Sequence, residues 1–131
     1  MKKVIVISTS LRAHSNSDML ADKFVEGALQ AGHEVEKISL IGKDIRFCRG
    51  CLACQKLGKC VINDDVDGIM QKVLHADVVV WATPIYYFEM SGQMKVLIDR
   101  MNALYTLDYQ FRDVYMPVSY THLTLPTICS V

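Results

Sequence analysis

Val4-Ile-Val-Ile7, followed at once by Ser8-Thr-Ser10, is the stretch of sequence that decides the fold. A continuous run of β-branched residues that ends in small polar ones is typical of a strand buried on both faces of a parallel sheet. From Asn16 to about Ala31, apolar residues recur at helical spacing, and Gly32 follows as a stop signal. We therefore expect the chain to open with a buried strand and a crossover helix.

The alternation of strand and helix continues downstream. Residues 34–40 are expected to form a second strand, and Asp64 or Asp65 can cap a helix that runs to about His75. Residues 77–82 then form a third strand. This order predicts an α/β fold with a doubly wound parallel sheet, in which ligands bind beyond the carboxyl ends of the strands.

Beyond the third strand the pattern is less regular. We expect a loop from Pro84 to about Met90, then a helix from Ser91 to about Leu104, and the opening of a fourth strand at 114–118. Arg100 lies on that helix, where it is expected to pair across a subunit contact or with a ligand.

Length and composition exclude several classes of function. The 131 residues suit one domain, and 51% hydrophobic with 21% charged residues is ordinary for a soluble protein. Lys plus Arg equals Asp plus Glu at 14 each, without a basic stripe, so neither nucleic acid nor an anionic membrane is an expected partner. The longest apolar run, near residues 78–82, is too short to span a bilayer. The N-terminus lacks a signal-peptide pattern, which predicts a cytoplasmic protein with reduced thiols.

A polar loop between the first strand and the first helix carries the donors of an anion site. Side-chain donors and the free backbone N–H groups of a helix N-terminus can bind a phosphate there, and Arg12 adds a charge-assisted bond. The loop has neither the glycine pattern of a dinucleotide site nor that of a triphosphate loop, so a monophosphate such as that of FMN fits better. Ordinary helix capping is the other use of such residues. The side-chain donors are Ser10, Ser15, Asn16 and Ser17.

An aromatic segment follows the third strand. Exposing three adjacent aromatic rings to water is unfavourable. A flat ring system such as a flavin can pack against these rings and the neighbouring backbone. The alternative is packing against another subunit or the following helix. The segment consists of Thr83, Pro84, Ile85, Tyr86, Tyr87 and Phe88.

Four cysteines lie close together in the loop after the second strand. Their spacing lets one tight loop aim the thiolates at a common point, as an iron–sulfur cluster requires. The segment is too polar for a core strand, and zinc ribbons usually have two separated pairs of cysteines. Structural zinc, redox-active free thiols and a metal-free loop nevertheless stay open as alternatives. The cysteines are Cys48, Cys51, Cys54 and Cys60.

These segments resemble the flavodoxin-like NADPH-dependent FMN reductase superfamily. Residues 10–17 are similar to its phosphate loop, residues 83–100 to its ring-binding segment, and the cysteine spacing to its iron–sulfur flavoprotein branch. The resemblance covers residues 1 to about 118. It implies an FMN phosphate held by Ser10, Arg12, Asn16 and Ser17, and an isoalloxazine ring beside Pro84, Ile85, Tyr86, Tyr87 and Phe88.

The resemblance implies an FMN-dependent NAD(P)H oxidoreductase that passes electrons to a quinone, flavin or protein acceptor. A 4Fe–4S cluster on the four cysteines is an expected addition, and the complete protein is expected to be a homodimer or homotetramer. Since the flavin does the chemistry, no catalytic side chain is expected. The alternatives are a non-enzymatic flavin and iron–sulfur electron carrier, or a redox-sensing module that uses thiols or a metal.

Residues 119–131 do not continue the pattern of strand, ligand loop and helix. They resemble the translated adapter peptide that ends many fragmentary reading frames, although an irregular native C-terminus is the alternative. We expect a flavodoxin-like domain of residues 1–118, incomplete by roughly one βαβ unit, and a non-native tail of residues 119–131. Such a sheet is expected to leave the far edge of its third strand unpaired, with poor cover for Leu97, Ile98 and Met101.

Overall fold

Strands and helices alternate along most of the chain, as the sequence pattern predicts. The computed structural model describes residues 1–120, and most of the tail predicted at 119–131 lies outside the described residues. The elements are β1 (Lys3–Ser8), α1 (Asn16–Gln30), β2 (Glu34–Ser39), α2 (Cys54–Leu57), α3 (Val66–Leu74), β3 (Val78–Tyr86), β4 (Glu89–Met90), α4 (Gly92–Asp99), a 3-10 segment (Arg100–Leu104), β5 (Asp113–Tyr115) and β6 (Val118–Tyr120).

The centre of the sheet is parallel, with β1 between β2 and β3. Ile5 is opposite Glu36 on one side and Val79 on the other. Both β5 and β6 pair in parallel with the far edge of β3, and β4 forms an antiparallel hairpin with the end of β3. The strand order turns back at β1 and β3, which is the switch point where doubly wound sheets bind ligands.

Alternate side chains of β1 enter two separate core regions. Ile5 and Ile7 pack with residues of α3 and α4, whereas Val4 and Val6 pack on the face that α1 covers. This follows from the two-residue period of a strand. All four side chains are buried, and each contributes roughly 1.5–3 kcal/mol of hydrophobic stabilisation. The prediction of an α/β fold with a buried first strand is confirmed.

Three local expectations differ from the structure. The third strand continues past Pro84 to Tyr86, and its far edge is paired rather than open. Leu97 is fully buried in the core instead of poorly covered. The strands that complete this edge have three residues each, too few to show a periodic pattern. Met116 and Pro117 separate them, and the Pro117 carbonyl accepts the backbone N–H of Thr83 at 3.2 Å.

The helix expected from Ser91 to Leu104 is divided. Regular α-helix ends at Asp99, and the 3-10 segment carries the chain on to Leu104. Among residues 1–120, no helix is long and apolar enough to cross a membrane.

Candidate functional site

The polar loop after β1 ends in a well-formed helix cap. Ser15 is the N-cap residue of α1, and its Oγ accepts the backbone N–H of Asp18 at 3.2 Å. The first N–H groups of a helix have no partner within the helix, which leaves those of Asn16 and Ser17 available to a ligand. Arg12, in the same loop, is exposed. The loop therefore presents backbone donors and one cation at the positive end of α1.

The serine hydroxyls of this loop already have partners within it. Ser10, Ser15 and Ser17 are at most 5% exposed. The Ser10 hydroxyl bonds with the backbone of Arg12, and the hydroxyl oxygens of Ser15 and Ser17 lie 3.3 Å apart. These serines fix the shape of the loop, while Arg12 and Asn16 are the predicted site residues that face solvent.

A buried carboxylate supports the loop from beneath. Asp18 accepts a hydrogen bond from the Ser8 hydroxyl at 2.7 Å and forms an ion pair with Lys37 of β2 at 2.8 Å. Burial alone would raise the pKa of Asp18, but the bonds from Lys37, Ser8 and the His14 backbone outweigh burial and hold it below its ordinary value. Asp18 is therefore a charged anchor that ties β1, β2 and α1 together.

The aromatic segment forms a tight hairpin. Tyr86 pairs with Glu89, so Tyr87 and Phe88 are the two central residues of a two-residue turn. Their φ angles are 48° and 64°, the left-handed pair that such a turn normally obtains from Asn and Gly. Bulky residues in this region are strained by about 1–3 kcal/mol each. Tyr87 is 92% exposed, and the two rings meet at 5.7 Å.

Buried hydroxyl groups connect this hairpin to the polar loop. Thr9 donates to the carbonyl of Ala82 at 2.9 Å, and its oxygen lies 3.3 Å from that of Ser91. Ser91 in turn bonds with Thr83 and caps α4. Gln93 donates to the carbonyl of Thr9 at 2.8 Å. The loop after β1 and the segment after β3 are thus held side by side at one edge of the sheet.

The four cysteines line one small cavity. Its volume is about 20 Å³, roughly the space for one water molecule, and Arg100, Asn102 and Ala103 complete its wall. Among residues 1–120, no three His, Cys, Asp or Glu side chains are placed to hold a metal ion. The four cysteines therefore share one cavity, and their role as the ligands of a cluster stays a prediction.

Several of these sulfur atoms take part in hydrogen bonds. Cys60 Sγ accepts from the backbone N–H of Ile62 at 3.4 Å, and Cys48 Sγ accepts from that of Gly50 at 3.4 Å. The side-chain amide of Asn102 donates to Cys48 Sγ at 3.7 Å, and the backbone carbonyl of Asn102 accepts from the Cys54 thiol at 3.5 Å. Hydrogen bonds to ligand sulfur atoms are one of the features by which proteins tune iron–sulfur clusters.

The Arg100 side chain in the wall of this cavity belongs to a buried ion pair. Arg100 and Asp64 have side chains with no exposed area, and the guanidinium bonds with both carboxylate oxygens at 2.7 and 3.0 Å. Burial alone would raise the pKa of Asp64, but the bonds from Arg100 and from the Arg46 and Val66 backbone hold it below its ordinary value. The expectation that Arg100 pairs across a subunit contact is wrong, because its partner lies within the chain.

Sequence reasoning missed the linking role of Thr9 and Ser91 and the internal partner of Arg100. A signal for the last was present: Arg100 follows Leu97 by three residues and precedes Leu104 by four, which places it on the buried face of the helix. An arginine in that position requires a buried acceptor. Thr9 and Ser91 gave no comparable signal, because single hydroxyl residues are common in loops and caps.

A parallel sheet with helices on both faces, and two joined loops at its switch point, defines a flavodoxin-like nucleotide-binding domain. Residues 2–122 match the model of the NADPH-dependent FMN reductase family, and the chain belongs to that family.

Among similar proteins is an iron–sulfur flavoprotein of Methanocaldococcus jannaschii, 39% identical over 111 residues that cover 85% of this chain and 57% of the relative. An iron–sulfur flavoprotein of Archaeoglobus fulgidus is 37% identical over 99 residues, covering 76% of this chain and 45% of the relative. The chain thus spans about half the length of the curated relatives it matches. The fold is also similar to that of an NAD(P)H:quinone oxidoreductase from Methanothermobacter marburgensis, with a TM-score of 0.72 and 15% identity over 98% of this chain and 70% of the other.

Proposed function

We propose that this chain is the FMN-binding part of an NAD(P)H-dependent oxidoreductase that delivers electrons to a quinone, flavin or protein acceptor. One observation carries the proposal: the phosphate-type loop after β1 and the aromatic hairpin after β3 are hydrogen-bonded together at the switch point through Thr9, Thr83 and Ser91. A cofactor with an anionic end and a flat aromatic end fits that pair of loops. Membership of the FMN reductase family supports the choice of FMN.

The donor set fits a phosphate monoester. Arg12 supplies an exposed cation, and the first turn of α1 supplies the N–H groups of Asn16 and Ser17. The internally bonded serines hold these donors in place. Asp18 does not repel the phosphate strongly, because Lys37 neutralises it.

The hairpin suits the ring end of the cofactor. Thr83 and Pro84 are buried and fix the base of the segment, while Tyr86 and Tyr87 are exposed at its tip. Bound FMN supplies hydride and electron transfer, so the chain itself has to orient the cofactor rather than provide a nucleophile.

We also propose that Cys48, Cys51, Cys54 and Cys60 hold a 4Fe–4S cluster. The four side chains line one cavity, with N–H donors aimed at two of the sulfur atoms. The names of several relatives, which are called iron–sulfur flavoproteins, support this proposal. Such a cluster would supply one-electron transfer beside the flavin.

The test of the flavin site is a fluorescence titration of the chain with FMN and with riboflavin. Arg12→Ala removes a charge-assisted bond of about 1.5–3 kcal/mol, so FMN affinity should fall about ten- to a hundredfold. Riboflavin, which has no phosphate, should bind more weakly than FMN and respond little to the substitution. Lys23→Ala, which removes the same charge from the exposed body of α1, is the matched control. Equal FMN affinity for Arg12→Ala and Lys23→Ala, or equal binding of riboflavin and FMN, would overturn the phosphate site.

A further inference from the structure

Arg100 makes contacts that a simple structural ion pair does not need. Its side chain is among the most completely buried in the described chain, although it directly follows the exposed Asp99. It lies where α4 gives way to the 3-10 segment, which turns it away from solvent and toward the cysteine loop. Burying a guanidinium is unfavourable unless its N–H groups find acceptors.

Its five N–H groups are almost fully used. One terminal nitrogen donates to the Arg46 carbonyl at 2.9 Å and to Asp64 at 2.7 Å. The other donates to Asp64 at 3.0 Å and to Cys60 Sγ at 3.3 Å. Among the buried side-chain nitrogen and oxygen atoms of residues 1–120, only Nε of Arg100 has no hydrogen-bond partner.

The planar shape of the guanidinium links these contacts. Because both terminal nitrogens bind Asp64, the orientation of the whole guanidinium is fixed. The second N–H of one terminal nitrogen is thereby directed at Cys60 Sγ. The same group bonds the Arg46 carbonyl, just before the cysteine loop. Asp64, four residues beyond Cys60, accepts the Arg46 N–H at 2.9 Å. One buried pair therefore joins both ends of the loop.

We propose that Arg100 is a positioning residue that holds the Cys60 sulfur and sets the reduction potential of a cluster bound by the four cysteines. The inference rests on the cluster of the proposed function. A cationic N–H donor beside a ligand sulfur stabilises the more negative, reduced state, so it raises the potential. A residue that only filled space would not change the potential in this way.

The test compares reduction potentials after anaerobic reconstitution with iron and sulfide. Removing Arg100 alone would leave a buried carboxylate unpaired, so Arg100→Met is combined with Asp64→Asn. The double variant should keep its iron and sulfide content. At a fixed applied potential, its ratio of reduced to oxidised cluster should fall about tenfold, which is a shift of about 59 mV for one electron.

Arg46→Gln is the matched control, because it removes one exposed charge near the cysteines and keeps the backbone carbonyl that Arg100 uses. A double variant with the potential of this control would overturn the inference. If circular dichroism shows that the double variant is unfolded, the reduction potential of Arg100→Lys is measured instead. Lysine keeps the charge but cannot bind Asp64 through two nitrogens and reach Cys60, so the potential should still fall. An unchanged potential would again overturn the inference.

A measurement on the metal-free chain separates this inference from the cluster itself. In ¹⁵N–¹H spectra of the arginine side chains, Cys60→Ala should shift the terminal N–H signals of Arg100, whereas Cys51→Ala should not. If wild-type protein takes up no iron or sulfide, the cluster proposal fails, and unchanged Arg100 signals in Cys60→Ala would then remove the positioning role as well. If the wild-type protein binds no cluster but Cys60→Ala shifts the Arg100 signals, the contact between Arg100 and Cys60 is supported, and only the proposed effect on the reduction potential fails.

Discussion

Thr83 and Ser91 make two contacts across the turn that carries the aromatic hairpin: the Ser91 backbone N–H donates to Thr83 Oγ1 at 3.1 Å, and the two hydroxyl oxygens are also 3.1 Å apart. Both residues are fully buried. The Ser91 hydroxyl can in turn reach Thr9 on the polar loop. The strained hairpin is therefore closed at its base by a hydrogen-bonded clamp inside the protein.

Thr83→Val should destabilise the protein. Valine keeps the shape of threonine but leaves the buried Ser91 N–H without an acceptor, which costs about 1–3 kcal/mol. The free energy of unfolding from urea denaturation measures the effect. Thr106→Val, which changes an exposed threonine in the same way, should stay within about 0.5 kcal/mol of wild type. A Thr83 variant as stable as this control would show that the clamp does not stabilise the fold.

Tyr87→Asn should increase stability and reduce FMN affinity together. Asparagine accepts a positive φ, so about 1 kcal/mol of strain is relieved, whereas the packing of the Tyr87 ring on Phe88 is highly exposed and stabilises the fold by less. FMN binding should weaken because an aromatic surface is removed. Urea denaturation and an FMN titration of the same preparation test both effects. Tyr105→Asn, at another exposed tyrosine, controls for the change in side chain. Unchanged FMN affinity would separate the hairpin from the flavin site.

Asp18→Asn should reduce the loss of folding stability that wild type shows as the pH falls. The pKa of Asp18 is lower in the folded chain than its ordinary value of 3.8, so its stabilising effect is present above about pH 4 and is lost as pH falls through the lower, folded value. Lys37 faces it from β2 and also contacts Asp22. Urea midpoints at pH 6 and near pH 3 should therefore differ more for wild type than for the variant.

Asp67→Asn gives the same change in charge at an exposed position of α3. The loss of folding stability as the pH falls should be smaller for Asp18→Asn than for this control. Parallel curves for the two variants would mean that Asp18 is not the group responsible.

Replacing any one of the four loop cysteines with serine should prevent the cluster from binding. Cys48→Ser, Cys51→Ser, Cys54→Ser and Cys60→Ser should each lose iron, sulfide and the broad absorbance near about 400 nm after reconstitution, because a cubane cluster uses four thiolates. FMN binding should persist. Cys129→Ser is the control, since this fifth cysteine stands outside the described residues. Zinc bound without sulfide, or loss of the cluster in Cys129→Ser, would contradict the assignment.

The main elements could be predicted because each carries its own local pattern. The β-branched run at 4–7 and the periodic helix from Asn16 required no knowledge of distant residues. The polar loop and the cysteine loop could be placed at one sheet edge for the same reason, since parallel strands end there.

The contacts that join these loops could not be predicted in the same way. The bond between Thr83 and Ser91 depends on a turn whose left-handed residues are Tyr and Phe, which normally argue against such a turn. The pairing of Arg100 with Asp64 depends on which way a helix of the finished fold faces. Both are tertiary relationships, and a single sequence holds only indirect traces of them.

Helix α4 begins beside the Ser91 cap and ends one residue before Arg100. Each residue of an α-helix advances the chain by about 1.5 Å and rotates it by about 100°. An insertion or deletion of one residue in α4 would therefore leave the cap in place and rotate Arg100 away from Asp64. The number of residues in this short helix is thus set jointly by two loops that are distant in sequence, and length changes there should be tolerated much less than substitutions on its exposed side.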